Sequence, residues 1–111
     1  MEVRVRTIRK VMVVELDGEL DGKTAPEVQE KVLPLIEPGA QVLLDMTDVP
    51  YMSSAGLRML LSLYRQVTAK KGKVVLHGVA DGIRDTMSVT GFLKFFVIHE
   101  TVEAGVTALE A

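Results

Sequence analysis

The sequence predicts an α/β protein built on a mostly parallel sheet with an antiparallel N-terminal edge strand. Three observations carry that expectation. Short apolar runs (Val42-Leu43-Leu44 and Val74-Val75-Leu76 among them) alternate with amphipathic stretches of helical period. The first two apolar segments are separated only by Arg9-Lys10, so they must pair as a hairpin. The later strand–helix units imply right-handed crossovers, which lay successive strands parallel.

From Met1 to Ile8, valines alternate with Arg4 and Arg6, the pattern of a half-exposed strand, and Val11 to Leu16 is a more continuous one. Asp17 to Lys23 is polar and leads into Thr24-Ala25-Pro26-Glu27. Thr24 three residues before Glu27 reads as a capping box, with proline tolerated in the first turn. The helix that follows places Val28, Val32, Leu35 and Ile36 on its buried face, and Pro38-Gly39 ends it. Gln41 to Met46 is a strand. A long helix from Ser54 to about Ala69 carries Leu57, Leu60, Leu61, Tyr64 and Val67 on its apolar face. Lys73 to His77 is a strand, Ala80 to Val89 a short helix stopped at Thr90-Gly91, and Phe95 to His99 a strand. Thr101 caps a last helix bearing Val102, Val106 and Leu109.

A chain of 111 residues is expected to be one domain, residues 1–111, with a single core. Its 13 basic and 15 acidic residues give a net charge of −2, which offers no electrostatic footprint for nucleic acid. Lys70-Lys71-Gly72-Lys73 falls at a helix end, where cations complement the dipole. No cysteine is present, so neither a disulfide framework nor a thiolate metal site is expected. No apolar run is long enough to span a bilayer and the N-terminus lacks a signal core, so a cytoplasmic location is expected, with no membrane partner.

In parallel sheets the working surface lies beyond the carboxyl ends of the strands. That rule gathers Asp21 to Thr24, Thr47 to Ser54 and the turn after His77 on one edge. Catalytic patterns are weak there. His77 and His99 each end an apolar strand without a ligand partner at helical spacing, and no glycine-rich phosphate loop occurs. Ser54 with His77 and an edge acid is a conceivable hydrolase triad, but it lacks the G-x-S-x-G elbow. Glu19, Asp21, Asp45 and Asp48 read as solvated loop acids rather than a magnesium or glycosidase site. No cofactor is called for.

The informative segment is Asp45-Met46-Thr47-Asp48-Val49-Pro50-Tyr51-Met52-Ser53-Ser54-Ala55-Gly56-Leu57-Arg58. Two serines stand where an amphipathic helix begins. Either can cap it, and either can offer a hydroxyl for phosphorylation at the positive end of the helix dipole. The two roles are compatible, because the free N–H groups of a helix start can hold a phosphate with little refolding. Gly56, without a Cβ, leaves room for close approach by another backbone or a phosphate. Met52 sits in the loop beside Ser53, where it can cover the serine pocket or join a partner surface. Met46, Met59 and Met87 have apolar neighbours and read as core.

Three segments together resemble the stand-alone STAS domains (sulfate transporter and anti-sigma factor antagonist). They are Gly18-Glu19-Leu20-Asp21 with Thr24-Ala25, Leu44-Asp45 through Leu57, and Thr90-Gly91-Phe92. The serine segment is the most specific, and the resemblance covers nearly the whole chain. It implies a STAS-like fold and a non-catalytic anti-sigma factor antagonist. Such a protein binds an anti-sigma factor serine kinase of the GHKL type while unphosphorylated, leaves it when phosphorylated, and is restored by a metal-dependent serine phosphatase. The family's acceptor maps to Ser54, with Ser53 as a second candidate. Asp21, Gly22, Lys23, Thr24, Met52, Ser53, Ser54, Ala55, Gly56 and Arg58 then form the docking edge. The commonest family form has aspartate and two serines before the glycine; here Ser53 stands at the aspartate position and Ala55 replaces the second serine. A scaffold or sensory module that binds partners or a small ligand without a phosphorylation cycle is the alternative.

Overall fold

The alternating N-terminal segment forms β1 (Glu2–Ile8), which turns back antiparallel into β2 (Val11–Asp17) in a computed structural model that describes residues 1–111. Arg9 and Lys10 both take positive φ, 46° and 73°. A two-residue turn of that hand matches the twist of a hairpin, although Asn-Gly is its usual sequence. Arg9 is held there by ion pairs to Glu103 at 3.0 Å and Glu110 at 2.8 Å.

Three further strands follow: β3 (Gln41–Asp48), β4 (Lys73–His77) and β5 (Ile98–His99). They add parallel to β2 in the order β1-β2-β3-β4-β5, so the mostly parallel sheet with an antiparallel edge strand stands as the sequence predicts. The helices are α1 (Ala25–Val32), α2 (Ser54–Ala69), α3 (Asp81–Val89) and α4 (Val102–Glu110).

The apolar runs in β2, β3 and β4 reflect a sheet covered on both faces. Val14, Leu16, Val42, Leu44, Met46, Val74 and Leu76 point into the larger core, against Val28 and Val32 of α1, Leu57, Leu60, Leu63 and Val67 of α2, and Ile83 and Met87 of α3. Val11, Val13, Leu43 and Val75 face the other way, against Val106 and Leu109 of α4. Gly105 lets α4 settle on the sheet, since a Cβ there would meet Leu43 Cδ1 at 2.5 Å.

Three expectations fail locally. The strand read over Phe95–His99 shrinks to Ile98–His99, and Phe92–Phe95 form a 3-10 turn. The Phe95 and Phe96 rings pack tilted and edge-on against Tyr64 with ring centres 5.7 and 5.4 Å away, so aromatic packing on α2 takes residues that the apolar run assigns to the sheet. Next, α1 stops at Val32 and continues only as a 3-10 turn over Leu33–Leu35, with Pro34 inside it; Leu35 is thereby exposed rather than buried. Finally, the buried stripe of α2 includes Met59 and Leu63, while Leu61 and Tyr64 stay half-buried at its flank. No helix is long and apolar enough to cross a membrane.

Candidate functional site

Beyond the carboxyl ends of β2 and β3 the chain stays paired. Leu20 forms an isolated parallel bridge with Met52: its N–H donates to the Tyr51 carbonyl at 2.9 Å, and its carbonyl accepts the Ser53 N–H at 2.9 Å. This short extension fixes the entry to α2. Ser53 is the N-cap, with extended backbone (φ −82°, ψ 174°). Its carbonyl accepts the Leu57 N–H at 3.0 Å and its Oγ accepts the Gly56 N–H at 3.3 Å. Ser53 is half-buried. Ser54, one residue on, is exposed as the first residue of α2. By pattern either serine can cap the helix or carry a phosphate; here Ser53 closes the helix end and Ser54 faces solvent.

Gly56 is buried, and the approach it permits is internal. A Cβ there would lie 2.5 Å from the Leu20 carbonyl oxygen, so what fills the space is the chain's own backbone rather than an incoming phosphate or partner. Gly22 rests beside α2 as well, the position of its missing Cβ being 3.7 Å from Ala55 Cβ. The 21–24 loop and the start of α2 thus form one surface.

Asp21 shapes that loop. Its Oδ1 accepts the N–H groups of Lys23 at 2.9 Å and Thr24 at 3.1 Å, and its carbonyl accepts the Ala25 N–H at 2.8 Å. These are the bonds of an N-cap, one turn ahead of the position the sequence suggests. Thr24 does not cap, and the Thr24–Glu27 box does not form. Its hydroxyl instead accepts the Asp21 N–H at 2.9 Å and donates to the Glu19 carbonyl at 2.7 Å. The Lys23 N–H, then the Thr24 N–H, hold the Asp21 carboxyl below the ordinary carboxylate range.

Met52 corrects another expectation. It is 8% exposed and packs in the larger core, so it offers a partner only a margin of its side chain. Its neighbour Tyr51 is 52% exposed. The sequence reading passes over Tyr51, although an aromatic after Pro50 in a strand-to-helix loop was the available signal. Pro50, Tyr51 and the margin of Met52 line a shallow groove with Ala80 and with Gly82, Ile83 and Thr86 of α3.

The turn after His77 completes the edge. Gly78, at φ 74°, lies against Thr47, whose backbone nitrogen would stand 2.8 Å from an added Cβ. Asp45 Oδ1 in turn accepts the Thr47 N–H at 3.1 Å and its hydroxyl at 2.6 Å. Asp48 pairs with Arg4 at 3.9 Å and Asp17 with the same guanidinium at 3.7 Å. His77 Nδ1 is bonded to the His99 carbonyl at 2.9 Å. Nowhere do three His, Asp or Glu side chains gather closely enough to hold a metal ion. Arg58, exposed and one helical turn beyond Ser54, lies on the same face of α2.

Residues 2–105 match the family model of the STAS domain. The chain is 29% identical over 106 residues to the anti-sigma-B factor antagonist of Bacillus subtilis, covering 96% of this chain and 97% of that one. It superposes on the crystal structure of an anti-sigma factor antagonist from Mycobacterium paratuberculosis with a TM-score of 0.87 at 23% identity, over 99% and 94% of the two chains. The antagonist SpoIIAA is similar in its unphosphorylated form (TM-score 0.82, 20% identity, 98% and 96% covered) and in the phosphorylated form of the Bacillus protein (0.74, 21%, 96% and 98%). A five-stranded sheet of this order, an exposed serine heading α2, and a family match over nearly the full length agree: the chain belongs to the STAS domain family.

Proposed function

We propose that this protein is an anti-sigma factor antagonist, acting in the bacterial cytoplasm with no catalysis of its own, and that phosphorylation of Ser54 switches its partner. The observation that supports the switch is the division of labour between the serines. Ser53 caps α2 through its Oγ, so Ser54 is free to carry a phosphate without loss of the cap. A phosphoryl group there adds about −1.5 to −2 of charge beside the Asp21 loop and near Asp48. Arg58 is one turn away and can pair with it intramolecularly. The neutral edge binds an ATP-loaded serine kinase of the anti-sigma class, and the charged edge is rejected. A metal-dependent phosphatase resets it.

Exposed Gly22 and Lys23, half-buried Ala55, and Ser54 with Arg58 make up the proposed contact surface, with Tyr51 added at its rim. Asp21 and Gly56 act by holding that surface in shape. Incubation with the cognate kinase and ATP tests the proposal by intact mass. The wild-type chain should gain about 80 Da, one phosphoryl group, and Ser54→Ala should gain nothing while still binding the kinase. A full gain in Ser54→Ala would move the acceptor elsewhere.

A further inference from the structure

The far edge of the sheet is unfinished. β5 pairs only with Leu76 and His77, which leaves Lys73–Val75 of β4 without a neighbour strand on that side. Along β4 the backbone groups alternate. The Lys73 N–H donates to the Ala40 carbonyl on the β3 side, and the Leu76 N–H donates to the Val97 carbonyl on the β5 side, each at 2.9 Å. Val74 shares the phase of Leu76, so its N–H and C=O point outward where β5 does not reach. Outside them lies a groove of about 410 Å³. Its walls are Tyr64 and Thr68 of α2 on one face and Ala108 and Leu109 of α4 on the other, and Val97 closes one end. Val97 is 59% exposed. Lys73 lines the groove and Lys71 stands in the turn before it; neither lysine is ion-paired within the chain.

An apolar slot, one strand wide, with an open backbone edge as its floor has the form of a strand-addition site. We propose that it receives an extended, apolar segment flanked by acidic residues from a partner protein, which hydrogen-bonds to β4 at Val74 and continues the line of β5. Charge selects this occupant. Unpaired lysines at the mouth favour carboxylates, whereas a second copy of this chain, joined edge to edge, would bring its own Lys71 and Lys73 to the same seam. Three extended residues span about 10 Å, the length of the unpaired stretch. The slot contacts the C-terminal half of α2, about 15 to 21 Å along the helix from Ser54 at Tyr64 and Thr68, so it lies apart from the phosphorylation switch and can be filled in either state.

The probe is the blocked peptide acetyl-Glu-Val-Ile-Val-Glu-amide, titrated into the ¹⁵N-labelled full chain. Amide shifts should localise to Lys73–Val75, Thr68, Ala108 and Leu109, and the Val74 amide, quick to exchange in the free protein, should become protected. The exposed double variant Lys71→Glu/Lys73→Glu should bind this peptide about tenfold more weakly, two surface charge pairs being lost and reversed. That variant should instead prefer the lysine-flanked analogue. Methylation of the central peptide nitrogens should abolish binding. No shifts at millimolar peptide, equal binding of the methylated peptide, indifference to charge reversal, a Val74 amide already protected in the free chain, or dimerisation through β4 would each overturn the proposal.

Discussion

Ser53 and Ser54 are adjacent and chemically identical, and only backbone geometry separates them. The extended backbone of Ser53 aims its Oγ at the Gly56 N–H, while Ser54 already has helical backbone and looks outward. Replacing Ser53 with alanine should therefore cost about 1 kcal/mol of stability in chemical denaturation, the usual worth of such a cap, and leave phosphate acceptance at Ser54 in place. Gly56 is the other sensitive position. Alanine there drives a methyl group into the Leu20 carbonyl, and because backbone rather than a flexible side chain stands in the way, a loss of about 1–3 kcal/mol is expected. A denaturation midpoint and slope unchanged from the wild type would show that the two segments are not in contact. Asp21 gives a pH signature. Its folded-state pKa lies below the ordinary value, so its contribution is present in full above the unfolded pKa and is lost as pH falls through the folded one. Stability measured from neutral pH down through about pH 4 and below should fall less steeply in Asp21→Ala than in the wild type.

At the scale of elements, strong period and composition made most of the fold legible. The hairpin, the parallel strands with both faces apolar, and α2 with its sixteen residues appear in the sequence as they stand in the molecule. What failed were short segments where tertiary packing outweighs local pattern. Phe95-Phe96-Val97 has the composition of a strand, but Tyr64 offers the two rings a better partner than β4 does. The capping box at Thr24 has the right residues, but Asp21 reaches the free N–H groups one turn earlier. The first hairpin carries its own cost. Lys10 at φ 73° is in the left-handed region that disfavours side chains, so Lys10→Gly should stabilise the chain by about 1 kcal/mol, seen as a higher denaturation midpoint with unchanged slope. Arg9 is a poorer choice for the same change, since its ion pairs to Glu103 and Glu110 tie the hairpin to α4.

For the whole molecule, the parallel topology brings three separate loops to one edge, and the sequence marked all three. It did not mark which side chains face outward within them. Met52, expected at the partner surface, and Tyr51, given no role there, exchange places, because the Leu20–Met52 bridge turns Met52 into the core and leaves Tyr51 at the rim. That exchange follows from strand phase across a loop, which no local pattern encodes. The same edge concentrates what the proposed switch requires: a capped helix start and a solvent-facing hydroxyl beside the Asp21 loop. The most direct test is the affinity of the cognate ATP-loaded kinase for this protein before and after stoichiometric phosphorylation of Ser54, measured by titration calorimetry. Binding should weaken by roughly a hundredfold or more, the effect of placing a phosphate whose charge Arg58 offsets only in part in a formed interface. Equal affinity for the two forms would contradict the account.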